Sequence, residues 1–224
     1  MADPKVKYEL KSTLIAASKR FMALEYSPVS DLGDLSLRDP ETGYIYFSPN
    51  KGSTIDIPDW NHITEDDVVV TDPEGNIIDS NNGIIPTCEH PMHLELYKAR
   101  PDANAIVHNH AKFTSAFSIA GMDIPLCLSE TRKFGGDIKC PPDFGPAGSD
   151  TLTFGVVEAM GKVNKAALVR NHGAACIGAN MREAFEVSIL VEKLAETCIL
   201  AATIGKMNPV PEEFREIPEG FEEV

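Results

Sequence analysis

The sequence predicts a single α/β domain built on a largely antiparallel sheet, and three observations carry that prediction. Short apolar runs separated by turn residues succeed one another between residues 34 and 79, which is the signature of consecutive hairpins. Longer segments with apolar residues at helical spacing flank and interrupt these runs. No G-x-G-x-x-G opens a helix, so a dinucleotide-binding Rossmann fold is not expected. With 224 residues, 43% of them hydrophobic, the chain is long enough to bury one sizeable core, and no repeat or clear linker divides it.

From about Val6 to Tyr26, Leu10, Leu14, Ala17, Phe21 and Leu24 form one helical stripe, with Lys11, Lys19 and Arg20 left for solvent. The stretch Ser30 to Arg38 ends in strand-like alternation, Asp39-Pro40-Glu41-Thr42-Gly43 turns the chain, and Tyr44 to Phe47 returns. Asp67 to Thr71 and Ile77 to Asp79 make a second strand pair around Asp72-Pro73-Glu74-Gly75-Asn76. A helix with proline in its first turn covers Pro91 to Lys98, and Asn104 to His110 is an apolar strand. Phe113 to Ile119 reads as helix, Ile124 to Leu128 as strand and Gly145 to Gly148 as loop. A helix from Thr151 to Lys162 leads to the strand Ala166 to Val169, and Asn180 to Gly205 is the longest helical pattern. From Lys206 the chain is rich in Pro and Glu and reads as an extended acidic tail.

The formal charge of −14 argues against a nucleic-acid groove, which relies on clustered Lys and Arg. Five cysteines lie scattered without C-x-x-C spacing, as expected of reduced thiols in the cytoplasm. No apolar stretch approaches the roughly 20 residues of a membrane span, and the first residues hold no apolar leader core.

Two strand ends concentrate the chemistry. The run Asn104-Ala105-Ile106-Val107 ends in His108-Asn109-His110, and strand alternation points both imidazoles to one side. Ala166-Ala167-Leu168-Val169 ends in Arg170-Asn171-His172-Gly173, a third histidine followed by a residue that lets backbones approach closely. Glu89 lies nineteen residues before His108, just ahead of a helix. Three imidazoles with a nearby carboxylate suit a catalytic metal site with an open coordination position. The plainer readings are a pair of ordinary polar histidines and a helix-capping glutamate. His93, one turn after Glu89, fits either a supporting role or simple packing, and His62 and His90 read as surface groups. A cupin would place a glutamate where this chain has Phe113 and Thr114.

Together, Thr87-Cys88-Glu89, Met92-His93-Leu94, Tyr97, His108-x-His110 and Asn171-His172-Gly173 resemble the class II aldolase/adducin family, over most of the chain to about Gly205. That resemblance implies a three-layer α/β/α domain, a homotetramer, and one divalent cation per subunit held by His108, His110 and His172. Zinc is the expected ion, with Mn, Fe, Co and Ni as substitutes. It also implies that Glu89 is the acid/base group in reversible retro-aldol cleavage of a ketose or ketose phosphate.

Two departures from the family pattern stand out. Where its phosphosugar aldolases carry Gly-Asn-x-Ser, a Pro-Ser/Thr-Gly turn and Ser-Ser, this chain has Gly33-Asp34-Leu35-Ser36, then Asn50-Lys51-Gly52, then Thr87-Cys88. These are the candidate substrate-binding residues, and Asp34 is expected to shift the pocket toward a less charged substrate end. The family's tyrosine acid has no counterpart in Leu126 to Arg132, and the tail offers only Phe214 and Phe221. Decarboxylation of a keto or hydroxy acid, which needs no such acid, is therefore the alternative reaction. A non-catalytic adducin-like module is the third reading, disfavoured because all four site residues are present.

Overall fold

In a computed structural model, residues 3–27, 32–49, 59–81 and 83–216 are described. They form a seven-stranded sheet covered by helices on both faces. Strands β1 (Asp34–Arg38), β2 (Ile45–Phe47), β3 (Val69–Thr71), β4 (Ile77–Asp79), β5 (Ala105–Asn109), β6 (Ala166–Val169) and β7 (Gly173–Gly178) lie in the order β4-β3-β2-β1-β5-β7-β6. Every pairing is antiparallel. Five helices follow the chain as α1 (Tyr8–Ala23), α2 (His90–Ala99), α3 (Lys112–Ala120), α4 (Asp150–Met160) and α5 (Met181–Ile204). None is long and apolar enough to cross a membrane.

Alternation along the strands decides which helix each side chain meets. Leu35, Leu37, Ala105 and Val107 pack with α1 and the start of α5, and Ala166, Leu168, Ala174 and Cys176 pack with α3 and α5. Ile106, Ala167, Val169, Ala175 and Ile177 face α2 and α4 instead. Because both faces are covered, the four residues of β6 are all buried, and Ala-Ala-Leu-Val shows no polar alternation. The first hairpin is closed by Asp39, whose carboxylate accepts hydrogen bonds from Glu41 N at 3.1 Å and Thr42 Oγ1 at 2.7 Å. Gly43 sits at φ 76°, the conformation this turn demands.

Several expectations need correction. Strand β3 starts only at Val69, because Glu65–Asp67 forms a 3-10 turn in which Asp67 Oδ2 accepts from Thr64 N at 2.7 Å. Ile124 to Leu128 is not a strand: Ile124 alone makes a bridge, to Ile138. Strand β7 is not predicted by the sequence, since Gly-Ala-Ala-Cys-Ile-Gly carries little β-branched or aromatic signal. The segment after Gly205 is not wholly extended, as Val210 N donates to Leu126 O at 2.8 Å and Glu212–Phe214 makes a 3-10 turn. Ser30, Asp31, Asn50, Lys51, Gly52 and Phe221 lie outside the described residues.

Candidate metal centre

The end of β5, the β6–β7 turn and the start of α2 meet at one point. His108 lies on β5 and His110 just beyond it, with Nε2 atoms 3.3 Å apart. His172 enters from the β6–β7 turn, its ring centroid 5.0 Å from that of His108 and 4.4 Å from that of His110. Asn171, at φ 56°, adopts a left-handed turn conformation that asparagine tolerates better than most residues. Gly173 brings β7 against β5, for a Cβ there would stand 1.9 Å from Asn109 O.

Glu89 completes the group: its Oε2 is 2.8 Å from His108 Nε2 and 3.5 Å from His172 Nε2. Glu89 occupies the N-cap position of α2, yet its side chain makes no capping bond. The carboxylate turns inward, and its buried Oε1 has no hydrogen-bond partner among the described residues. A buried, unpartnered carboxylate oxygen is costly unless something else engages it.

One ligand atom from each of Glu89, His108, His110 and His172 lies within 4.8 Å of the others. A tetrahedral zinc with Zn–N bonds of about 2.0–2.1 Å separates its nitrogens by about 3.3–3.4 Å, so the 3.3 Å between His108 and His110 fits such an ion. His108 Nδ1 donates to Ala174 O at 3.1 Å, which turns the Nε2 lone pair toward the cluster.

The charges of the cluster set one another's protonation. Burial opposes charge on Glu89, but His108 and His172 outweigh it and hold the carboxyl well below the usual carboxylate range. Burial likewise opposes charge on His108, yet Glu89 more than compensates and pushes the imidazole up to about 9. Burial, reinforced by His108 and His172, drives His110 down to about 3.

A pocket of about 120 Å³ opens over the cluster, lined by Gly33, Asp34, Thr87 and Cys88 together with Glu89, His110 and His172. Leu32, Pro49 and Ala147 complete the wall and were not foreseen. Ala147 belongs to the 145–148 loop, whose Gly148 lies against Cys88 O. Ser36 is a correction: it is fully buried below the pocket, its hydroxyl 2.7 Å from His93 Nδ1 and 2.8 Å from Tyr97 Oη.

His93 is fully buried, with Nε2 2.7 Å from Asp34 Oδ1, while Thr87 Oγ1 donates to Asp34 Oδ2 at 2.5 Å. Burial opposes the charge of Asp34, but His93 outweighs it and lowers the carboxyl's pKa. His90 is half-buried rather than a surface group, its Nδ1 2.8 Å from Thr87 O. His62 is exposed, as expected.

This fold and this cluster define a protein class. Residues 12–199 match the class II aldolase and adducin N-terminal domain, and the chain belongs to that family. Among its relatives, L-fuculose phosphate aldolase of Escherichia coli O6:H1 is 34% identical over 153 residues, 68% of each chain. The 5-deoxy-D-ribulose 1-phosphate aldolase of Bacillus thuringiensis serovar kurstaki is 27% identical over 181 residues, 81% of this chain and 80% of the relative. A solved L-fuculose 1-phosphate aldolase superposes with a TM-score of 0.85 at 27% identity, covering 94% of each chain. The chain is an enzyme of the aldolase-type lyase class.

Proposed function

We propose that the chain is a divalent-cation-dependent aldolase that cleaves a ketose phosphate in a reversible retro-aldol reaction. His108, His110 and His172 are the cation ligands and Glu89 is the proton-transfer group. The convergence of these four side chains within 4.8 Å supports this reading above all else. A divalent cation there, zinc being best suited to three imidazoles, supplies a Lewis acid for the substrate carbonyl and its neighbouring hydroxyl.

The protein's own groups do the rest. The His108 imidazole is held by Ala174 O, and Glu89 is kept ionised and therefore able to accept a proton. When the carbon–carbon bond opens, the leaving half becomes an aldehyde as its hydroxyl gives its proton to the ionised Glu89. The retained half keeps the electron pair, and Glu89 delivers a proton to that carbon.

The phosphosugar names of the relatives support a phosphorylated keto-sugar. Asp34 does not oppose that reading as an uncompensated charge, because His93 and Thr87 engage both carboxylate oxygens. Gly33, Thr87 and Cys88, with Asn50, Lys51 and Gly52, are proposed to receive the phosphate end. An apolar groove between α3 and α5, lined by Ala120, Met122, Ile199 and Ala202 among others, supports self-association into the family's homotetramer.

Metal analysis with a substrate screen tests the proposal. One ion per chain is expected, with aldehyde released from ketose phosphates and a loss of about 10²–10⁴-fold in Glu89→Gln, which keeps its ion. A protein without stoichiometric ion, or a fully active Glu89→Gln, would sink it. Decarboxylation stays as a second reading because no tyrosine lines the pocket among the described residues. Carbon dioxide release without aldehyde in the same screen would select it.

A further inference from the structure

The far side of the His-x-His strand is anchored to α5. Asn109, between the two histidines, faces away from the cluster: its Nδ2 donates to Ser188 Oγ at 2.8 Å, and its Oδ1 accepts from Ala111 N at 3.0 Å. Four residues along α5, on the same face, Glu192 reaches the first turn of α3. Its two carboxylate oxygens accept from Phe113 N and Thr114 N, both at 2.9 Å. The N-cap residue of α3, Ala111, offers no side-chain acceptor, so Glu192 supplies from another helix what a serine or aspartate cap would provide. An anion at that end also meets the positive pole of the helix.

Helix α3 in turn grips the third histidine. Ser118 Oγ accepts from His172 N at 3.2 Å, and Ser115 Oγ donates to His172 O at 3.1 Å. Ser118 O accepts from Asn171 N at 3.2 Å. The front of α3 thus follows directly on His110, while its middle holds the backbone of His172.

We infer that Glu192 and Ser188 are positioning residues of the cation site. By locking α3 and the end of β5 against α5, they set the separation of His110 and His172 without touching cation or substrate. This rests on the reading of the three histidines as ligands. In Glu192→Gln a single carbonyl oxygen replaces two acceptors, and the amide group turns a donor toward one of the two helix N–H groups. The start of α3 then loosens, and the spacing between the ligands with it.

Cobalt titration of the metal-free, full-length protein tests this, followed by visible absorption of the bound ion and by thermal unfolding. Glu192→Gln is expected to weaken Co²⁺ binding by about 10–100-fold and to alter the absorption bands. Ser188→Ala is expected to weaken binding in the same sense by about tenfold. Glu186→Gln, on the same helix but paired with Arg182 at the surface, should bind as the parent does. If the parent chain itself takes up no cobalt, the reading of the histidines as ligands fails. If the parent binds but both Glu192→Gln and Ser188→Ala match its affinity and spectrum, the inference is overturned and that reading stands, even with a lowered unfolding temperature. Should Glu192→Gln fail to fold, Ser188→Ala decides alone.

Discussion

Asp34 Oδ1 and His93 Nε2 stand 2.7 Å apart at the pocket floor, with side-chain exposures of 2% and 0%. The pair sits at the head of a buried chain in which Ser36 joins His93 to Tyr97 and Thr87 joins Asp34 to the Glu89 backbone. Removing one member of a buried pair strands the other, which costs more than replacing it with a group that can still hydrogen-bond. His93→Leu is therefore expected to lose about 3–5 kcal/mol of stability. Asp34→Asn, which can still accept from Thr87, is expected to lose only about 1–2 kcal/mol. Urea unfolding of the two variants checks the order, and equal losses would contradict it.

The charge state of the histidine cluster predicts proton release on cation binding. Glu89 raises His108 to about 9, so at pH 7 the cation-free imidazole is protonated and must lose that proton to become a ligand. His110, held near 3, is already neutral and releases none. Apparent zinc affinity should then rise about tenfold per pH unit as pH approaches 9, with about one proton released at pH 7. Titration calorimetry in buffers of different ionisation enthalpy measures that proton directly, and a value of zero would remove the Glu89–His108 coupling from the account.

Much of this site was legible in the sequence because it rests on short-range rules. Strand alternation put His108 and His110 on one side, and Gly173 marked a close backbone approach that the structure confirms. What stayed hidden depended on long-range partners. Asp34 reads as a lone acid until β1 is set beside β5 and α2, fifty-nine residues away, supplies His93. Glu192 reads as one solvated charge on a long helix, and nothing local says that it caps α3. Strand β7 escaped because glycine and alanine carry no strand signal, and only packing between β5 and β6 makes them one.

The β1–β2 turn predicts a pH-dependent stability term. Burial opposes charge on Asp39, but bonds from Thr42, Lys7 and Glu41 N outweigh it and lower the carboxyl's pKa. A depressed folded-state pKa means that the ionised group stabilises above its unfolded value of about 3.9, and that this contribution is lost as pH falls through the lower folded value. Asp39→Asn should accordingly cost about 1–2 kcal/mol at pH 7, with the deficit shrinking below about pH 4. Denaturant midpoints of parent and variant between pH 3 and pH 8 test this, and a deficit that stayed constant would assign the loss to turn geometry alone.

Gly173 offers a test that separates backbone approach from side-chain chemistry. It pairs with Val169 across the turn that carries His172, and its missing Cβ leaves room for Asn109 O and for His110 Cα, which a Cβ would meet at 1.9 and 3.2 Å. Gly173→Ala adds no polar group and removes no ligand. It nevertheless forces β7 away from β5 at the one level where His108, His110 and His172 must converge, and overpacking of this kind costs about 1–3 kcal/mol. The expected variant folds with reduced stability but binds cobalt at least about tenfold more weakly, since the strand separation enters the ligand geometry directly. Full cobalt affinity in a destabilised Gly173→Ala would show that the histidines can reach one another from an opened sheet, and that the close contact of β5 and β7 serves packing rather than the site.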